Sequence, residues 1–102
     1  MESPRVTVRT DATEGRVVVC RGEFDLDTVA VLGTTCEREA RPVRGLALDV
    51  SGVGFADSSF LNVLVKWRRR GPVVLLGPLP SQLRGLLELT DTLPLFEVRT
   101  PG

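Results

Sequence analysis

The chain has 102 residues, 42% apolar and 25% charged, and its 13 basic and 13 acidic side chains give a formal net charge of zero. That size and balance specify one cored globular domain over residues 1–102 and exclude a disordered chain. The missing basic excess excludes a nucleic-acid binder, whose affinity comes from neutralising phosphates. The N-terminal MESPRVTVRT carries neither the basic nor the apolar region of a signal peptide, and no run approaches the roughly 20 apolar residues of a membrane span. A cytoplasmic protein with no membrane or nucleic-acid partner is expected.

RVTVRT (5–10) alternates with period 2, RVVVCRG (16–22) is β-rich, and DATEG between them has turn chemistry, which predicts a β-hairpin. Val29, Leu32, Gly33, Cys36 and Ala40 then recur at helical spacing, with Glu37, Arg38 and Arg41 opposite them. Asp27 is the expected N-cap of this helix, and Pro42 lies beyond its end. GLALDV (45–50) and VVLLG (73–77) are continuous apolar runs, as expected of central strands covered on both faces.

Between those strands lies GFADSSFLNVLVKWRRRGP (54–72), which reads as a loop followed by a helix. Asn62, Lys66, Arg69 and Arg70 form one polar face, and Phe60, Leu61, Val63, Leu64, Val65 and Trp67 form a wide apolar arc. Asp57 or Ser58 is the expected N-cap, Gly71-Pro72 ends the helix, and Arg68, Arg69 and Arg70 suit its C-terminal dipole. A last helix over about 81–90 turns Leu83, Leu86, Leu87 and Thr90 inward, followed by a short strand LFEV (95–98). The order β-β-α-β-α-β-α-β predicts an α/β domain. Its mixed, mostly parallel sheet has the hairpin at one edge and is packed by about three helices.

Catalytic chemistry finds little support in the residues. The chain has no histidine, so a Ser-His-Asp set is excluded, and Lys66 lies two turns beyond the serines on the polar face, a poor position for a base. No phosphate-binding glycine loop is present. Cys20 and Cys36 without histidine make a poor metal set and read as buried core thiols. A non-enzymatic protein without cofactor or metal is expected. From spacing alone, Asp57-Ser58-Ser59 is a helix cap worth about 1 kcal/mol.

Three stretches carry a resemblance. GEFDLDT (22–28), LALDVSGVGFADSSFLNVLV (46–65) and LRGLLELT followed by LF (83–96) resemble the STAS domain of bacterial anti-sigma factor antagonists. The likeness runs in register from about Val6 to Val98. It implies a STAS-like single domain that binds an anti-sigma factor, itself a serine kinase of GHKL type, and so releases a sigma factor. It also implies that the kinase switches binding off by phosphorylating the first serine after the aspartate. Carried over, the acceptor is Ser58, and the partner-binding surface comprises Glu23, Asp25, Asp57, Ser59, Phe60 and Asn62. Ser59 should point about 100° away around the helix and be the poorer acceptor.

This chain departs from the family pattern at three points. Phe60 stands where the family has glycine, Asp91 replaces the glycine that ends the third helix, and little chain is left for the terminal helix of many relatives. Phe60 is expected at the partner surface and Trp67 against the sheet. A monomer or weak dimer is expected. Two other readings stay open: a STAS scaffold or accessory subunit without phospho-switching, and a binding module for a small nucleotide-type ligand.

Overall fold

The hairpin, the three helices and the parallel strands assemble into one five-stranded sheet of order β1-β2-β3-β4-β5. The structure, a computed structural model, describes residues 3–40 and 45–100. β1 (Arg5–Asp11) pairs antiparallel with β2 (Gly15–Phe24), and the turn between them is set by Asp11, whose Oδ1 accepts from the amides of Thr13 and Glu14 at 2.7 and 2.9 Å. β3 (Leu46–Ala56), β4 (Val73–Leu76) and β5 (Glu97–Arg99) each run parallel to the strand before. The crossovers carry α1 (Ala30–Glu39), α2 (Ser58–Arg68) and α3 (Ser81–Leu89), the last followed by a 3₁₀ turn at Leu93–Leu95.

Alternation along the strands explains the continuous apolar runs. Val18 and Cys20 of β2, Leu46, Leu48 and Val50 of β3, and Val73 and Leu75 of β4 enter one core with Leu32, Cys36, Phe60, Leu64, Leu83 and Leu87 of the helices. All three helices therefore share one face of the sheet. The intervening Val17, Val19, Ala47, Val74 and Leu76 form a second, smaller cluster on the reverse face. The cover expected on both faces of the central strands is supplied on this face by ion pairs. Arg9 reaches across β2 to Asp49 at 3.2 Å, and Arg99 of β5 pairs with Glu14 of the hairpin turn. Such pairs contribute little directly, but the aliphatic stems of their arginines shield the valines from water.

Several boundaries differ from the sequence reading. Asp27 does not cap α1; the capping position is Val29, without a side-chain bond, because the preceding residues are wound into a turn around Asp25. Arg41 and Pro42, expected at the end of that helix, lie outside the described residues. β3 runs six residues past its predicted end, and the last strand begins two residues late because Leu93–Leu95 coil first. Thr90 is exposed instead of inward, its hydroxyl donating back to the Leu86 carbonyl at 2.8 Å. Asp91 adopts the left-handed conformation, φ 56°, that glycine would take after α3. Asp91 N–H bonds to Glu88 and Thr92 N–H to Leu87, so a full Schellman motif forms without glycine.

Trp67 packs at 6% exposure with its Nε1–H unpartnered, while Arg70 and Lys66 lie over the ring at 4.9 and 5.4 Å. Cys20 and Cys36 are both fully buried. Burial pushes the Cys36 thiol up to about 12 and the Cys20 thiol higher still. At pH 8 neither supplies the thiolate that reagents attack. An aromatic disulfide reagent should therefore label neither cysteine in the native protein and both after denaturation. Rapid native labelling, read by absorbance, would show the core to be open there.

Candidate functional site

Two loops leave the same end of the sheet side by side. The parallel pairing of β2 with β3 closes at Glu23↔Phe55 and Phe24↔Ala56, so Asp25 and Asp57 are the next residues on adjacent strands. Ligand sites in parallel sheets lie at this edge, outside the carboxyl ends of the strands. The registers agree only because β3 carries extra residues. Val19 and Arg21 face Asp49 and Gly52, and Gly22 and Glu23 face Val53 and Phe55, leaving Gly54 unpaired. The second bulge lets Val53 and Ala56 both face the core and turns Phe55 outward.

Each loop is held by its own aspartate. The Asp25 Oδ1 accepts from Asp27 N–H at 3.0 Å, Thr28 N–H at 3.1 Å and the Thr28 hydroxyl at 2.9 Å. Asp57 is the N-cap of α2, its Oδ1 accepting from Ser59 N–H at 2.8 Å. That decides between Asp57 and Ser58 for the cap and leaves Ser58 as the exposed first residue of the helix. Ser59 is half-buried, and Asn62, one turn on from Ser58, is exposed. The described structure thus brings Glu23, Asp25, Asp57, Ser58, Ser59 and Asn62 to one end of the domain.

Phe60 does not join that surface. It is 0% exposed and packs on Phe24 with ring centroids 5.2 Å apart and planes inclined at 51°. The expected partner contact is corrected. In the first turn of α2 this position faces down onto the end of β2, where a large ring fills space a glycine would leave to neighbours. The two phenylalanines tie the residue before Asp25 to the helix that carries Ser58.

Sequence reasoning missed Gln82, which follows the first residue of α3 without any motif around it. Its Oε1 accepts from Ala56 N–H at 2.8 Å and its Nε2 donates to Ala56 C=O at 2.7 Å. One amide thus satisfies both backbone groups of the last β3 residue, immediately before Asp57.

Substitutions at two positions test this support. Phe60→Ala should cost about 3–5 kcal/mol in denaturant unfolding, as a buried aromatic truncation does; a loss below about 1 kcal/mol would return Phe60 to the surface. Gln82→Ala leaves two part-buried backbone groups unpaired and should cost about 1–3 kcal/mol, with faster amide exchange at Ala56. Gln82→Glu, keeping the acceptor but not the donor, should fall between; equal stability of all three would remove the clamp.

Comparison with known proteins places this geometry in a family. The family model described as "Mlab, STAS domain" matches residues 7–92. No curated protein matches the sequence. Among solved structures, an anti-sigma factor antagonist from Mycobacterium paratuberculosis is similar at 27% identity, covering 98% of this chain and 87% of that one, with a TM-score of 0.74. The anti-sigma factor antagonist SpoIIAA in its unphosphorylated form is similar in fold at 20% identity and a TM-score of 0.68, covering 96% of this chain and 89% of that one. The phosphorylated form of SpoIIAA, a Bacillus cell fate determinant, gives 19% and 0.62, covering 96% and 92%. A family model matching most of the chain, joined to this sheet order and serine-bearing helix, makes the chain a member of the STAS domain family.

Proposed function

We propose that this protein is an anti-sigma factor antagonist that binds its anti-sigma factor, a GHKL-type serine kinase, when Ser58 is unmodified and releases it when Ser58 is phosphorylated. The observation that carries the reading is the placement of Ser58. It is exposed, opens α2 directly after the Asp57 cap, and stands beside the Asp25 turn. The likeness to the Mycobacterium paratuberculosis antagonist over nearly the whole chain supports it.

The chemistry of that position suits a switch. A phosphate brings about −1.5 to −2 charge at neutral pH. At the start of a helix that charge is favourably placed for the domain itself, near free N–H groups and the positive end of the helix dipole. Across a closed interface beside Asp25 and Asp57 it meets like charge and loses its water. The modification therefore leaves the fold intact and removes binding. Membership of the STAS family leaves one second reading, an accessory subunit of a larger assembly with no kinase acting on it.

The test is incubation of the purified protein with ATP and each GHKL-type anti-sigma kinase of its own genome, followed by mass spectrometry and calorimetry. Ser58→Ala should bind constitutively, since it removes one oxygen and no charge. Ser58→Asp should bind weakly, one charge standing in partly for nearly two. Both should keep the melting temperature of the parent, because Ser58 lies outside the core. Phosphate found only at Ser59, or a Ser58 phospho-form that binds as tightly as the unmodified protein, would falsify the switch. Binding to none of the kinases would favour the assembly subunit.

A further inference from the structure

The sheet ends at β1 in a free edge seven residues long. β1 pairs with β2 from Arg5 to Asp11 without a register shift, and it contains no proline, lysine or bulge, the usual means of blunting an edge. The opposite edge, β5, offers only three residues. A strand in this position leaves a row of backbone N–H and C=O groups open to a further strand. Its side chains alternate. Val6 and Val8 are half-buried on the helical face, Val6 against the main core, while Arg5, Thr7, Arg9 and Asp11 line the reverse face.

The charges along that edge are not all satisfied within one molecule. Arg9 leans inward over β2 to Asp49 at 3.2 Å and reaches Asp11 at the same distance. Arg5 stands directly opposite Arg21 of β2, and neither guanidinium has an ion pair among the described residues. Like charges directly opposed weaken a strand pair. Across the free edge, by contrast, the order of charges is self-complementary. A two-fold axis through Val8, normal to the sheet, runs the β1 strands of two copies antiparallel. It sets Arg5 against Asp11 twice, with Thr7 against Arg9 and Val6 against Thr10. Moving the axis one residue either way sets Arg5 against Arg9 or Arg9 against itself. Charge thus selects one register.

We propose that β1 is the interface for a second copy of this chain, paired antiparallel about Val8 with two Arg5–Asp11 contacts between the copies. The second copy supplies Arg5 with the carboxylate it lacks in the monomer. The two five-stranded sheets become one continuous sheet with all the helices on one face. Such an interface is isologous: pairing consumes both free β1 edges, so assembly stops at the dimer. The two-fold also reverses strand direction. The loops that follow β2 and β3 in each copy therefore point to opposite ends of the dimer and stay open. The pairing needs neither phosphate nor kinase, and it stands independently of the antagonist reading.

The experiment is sedimentation velocity on the full-length protein across a concentration series, with the melting temperature of each variant measured alongside. The parent should form a concentration-dependent dimer. Thr7→Glu places a carboxylate against Arg9 of the second copy and should tighten the dimer about fivefold, each substitution acting twice across the axis. Thr7→Lys should loosen it by a similar factor. Arg5→Glu should also loosen the dimer, yet leave the melting temperature of the dilute protein equal or higher. The new carboxylate meets Asp11 between copies but Arg21 within one. Thr7 and Arg5 are exposed, so all three variants should fold, and should one not, the other two decide. A monomer at every soluble concentration overturns the proposal. So does a dimer indifferent to all three substitutions, which assembles through another surface. A dimer that Thr7→Lys tightens overturns it as well, since that register sets Thr7 against Asp11.

Discussion

Two parallel strands can deliver neighbouring loops only if they end in register, and in this domain β3 needs extra residues to end level with β2. The surplus is absorbed in bulges between Asp49 and Phe55. Everything at the candidate site follows from that adjustment. Asp25 and Asp57 emerge on adjacent strands, α2 begins one residue later, and Ser58 is presented at its first position. A bulge is a local loss of pairing, and here the strand end beyond it is secured from outside the sheet. Gln82 satisfies both backbone groups of Ala56, and Phe60 rests on Phe24.

This support is what a covalent switch on a small domain requires. A hydroxyl that is to accept a phosphate must be reachable, yet the backbone beneath it must not shift when nearly two charges arrive. Ser58 is exposed, while the residue before it caps the helix and the residue two beyond it is wholly buried. The proposed modification site is thus one residue wide, bounded by a cap on one side and core on the other. A helix N-terminus adds an electrostatic environment suited to an anion, so under the proposed switch a phosphate would act on a partner and not on the fold.

The distribution of charge gives the same surface its direction. The sheet's reverse face screens its small apolar cluster under Arg9–Asp49 and Arg99–Glu14, pairs of opposite sign that leave little field outside. The serine end has carboxylates in both loops and exposed apolar side chains beside them.

The sequence by itself determined the element order, the hairpin and the mixed sheet, because hydrophobic period and turn residues act over a few neighbours. It also singled out Asp57-Ser58 at a helix start, since a cap is read from adjacent positions. Phe60 was misplaced on the surface for the same reason. Position in the first turn said nothing of Phe24, thirty-six residues earlier, which receives its ring. β3 was cut short at residue 50 because bulges break the alternation that marks a strand, and the same bulges decided that Phe55 faces outward. The grip of Gln82 on Ala56 spans 26 residues and follows no pattern at all. Tertiary structure alone decided these contacts, because a side chain's burial and partners depend on what the rest of the chain brings to it.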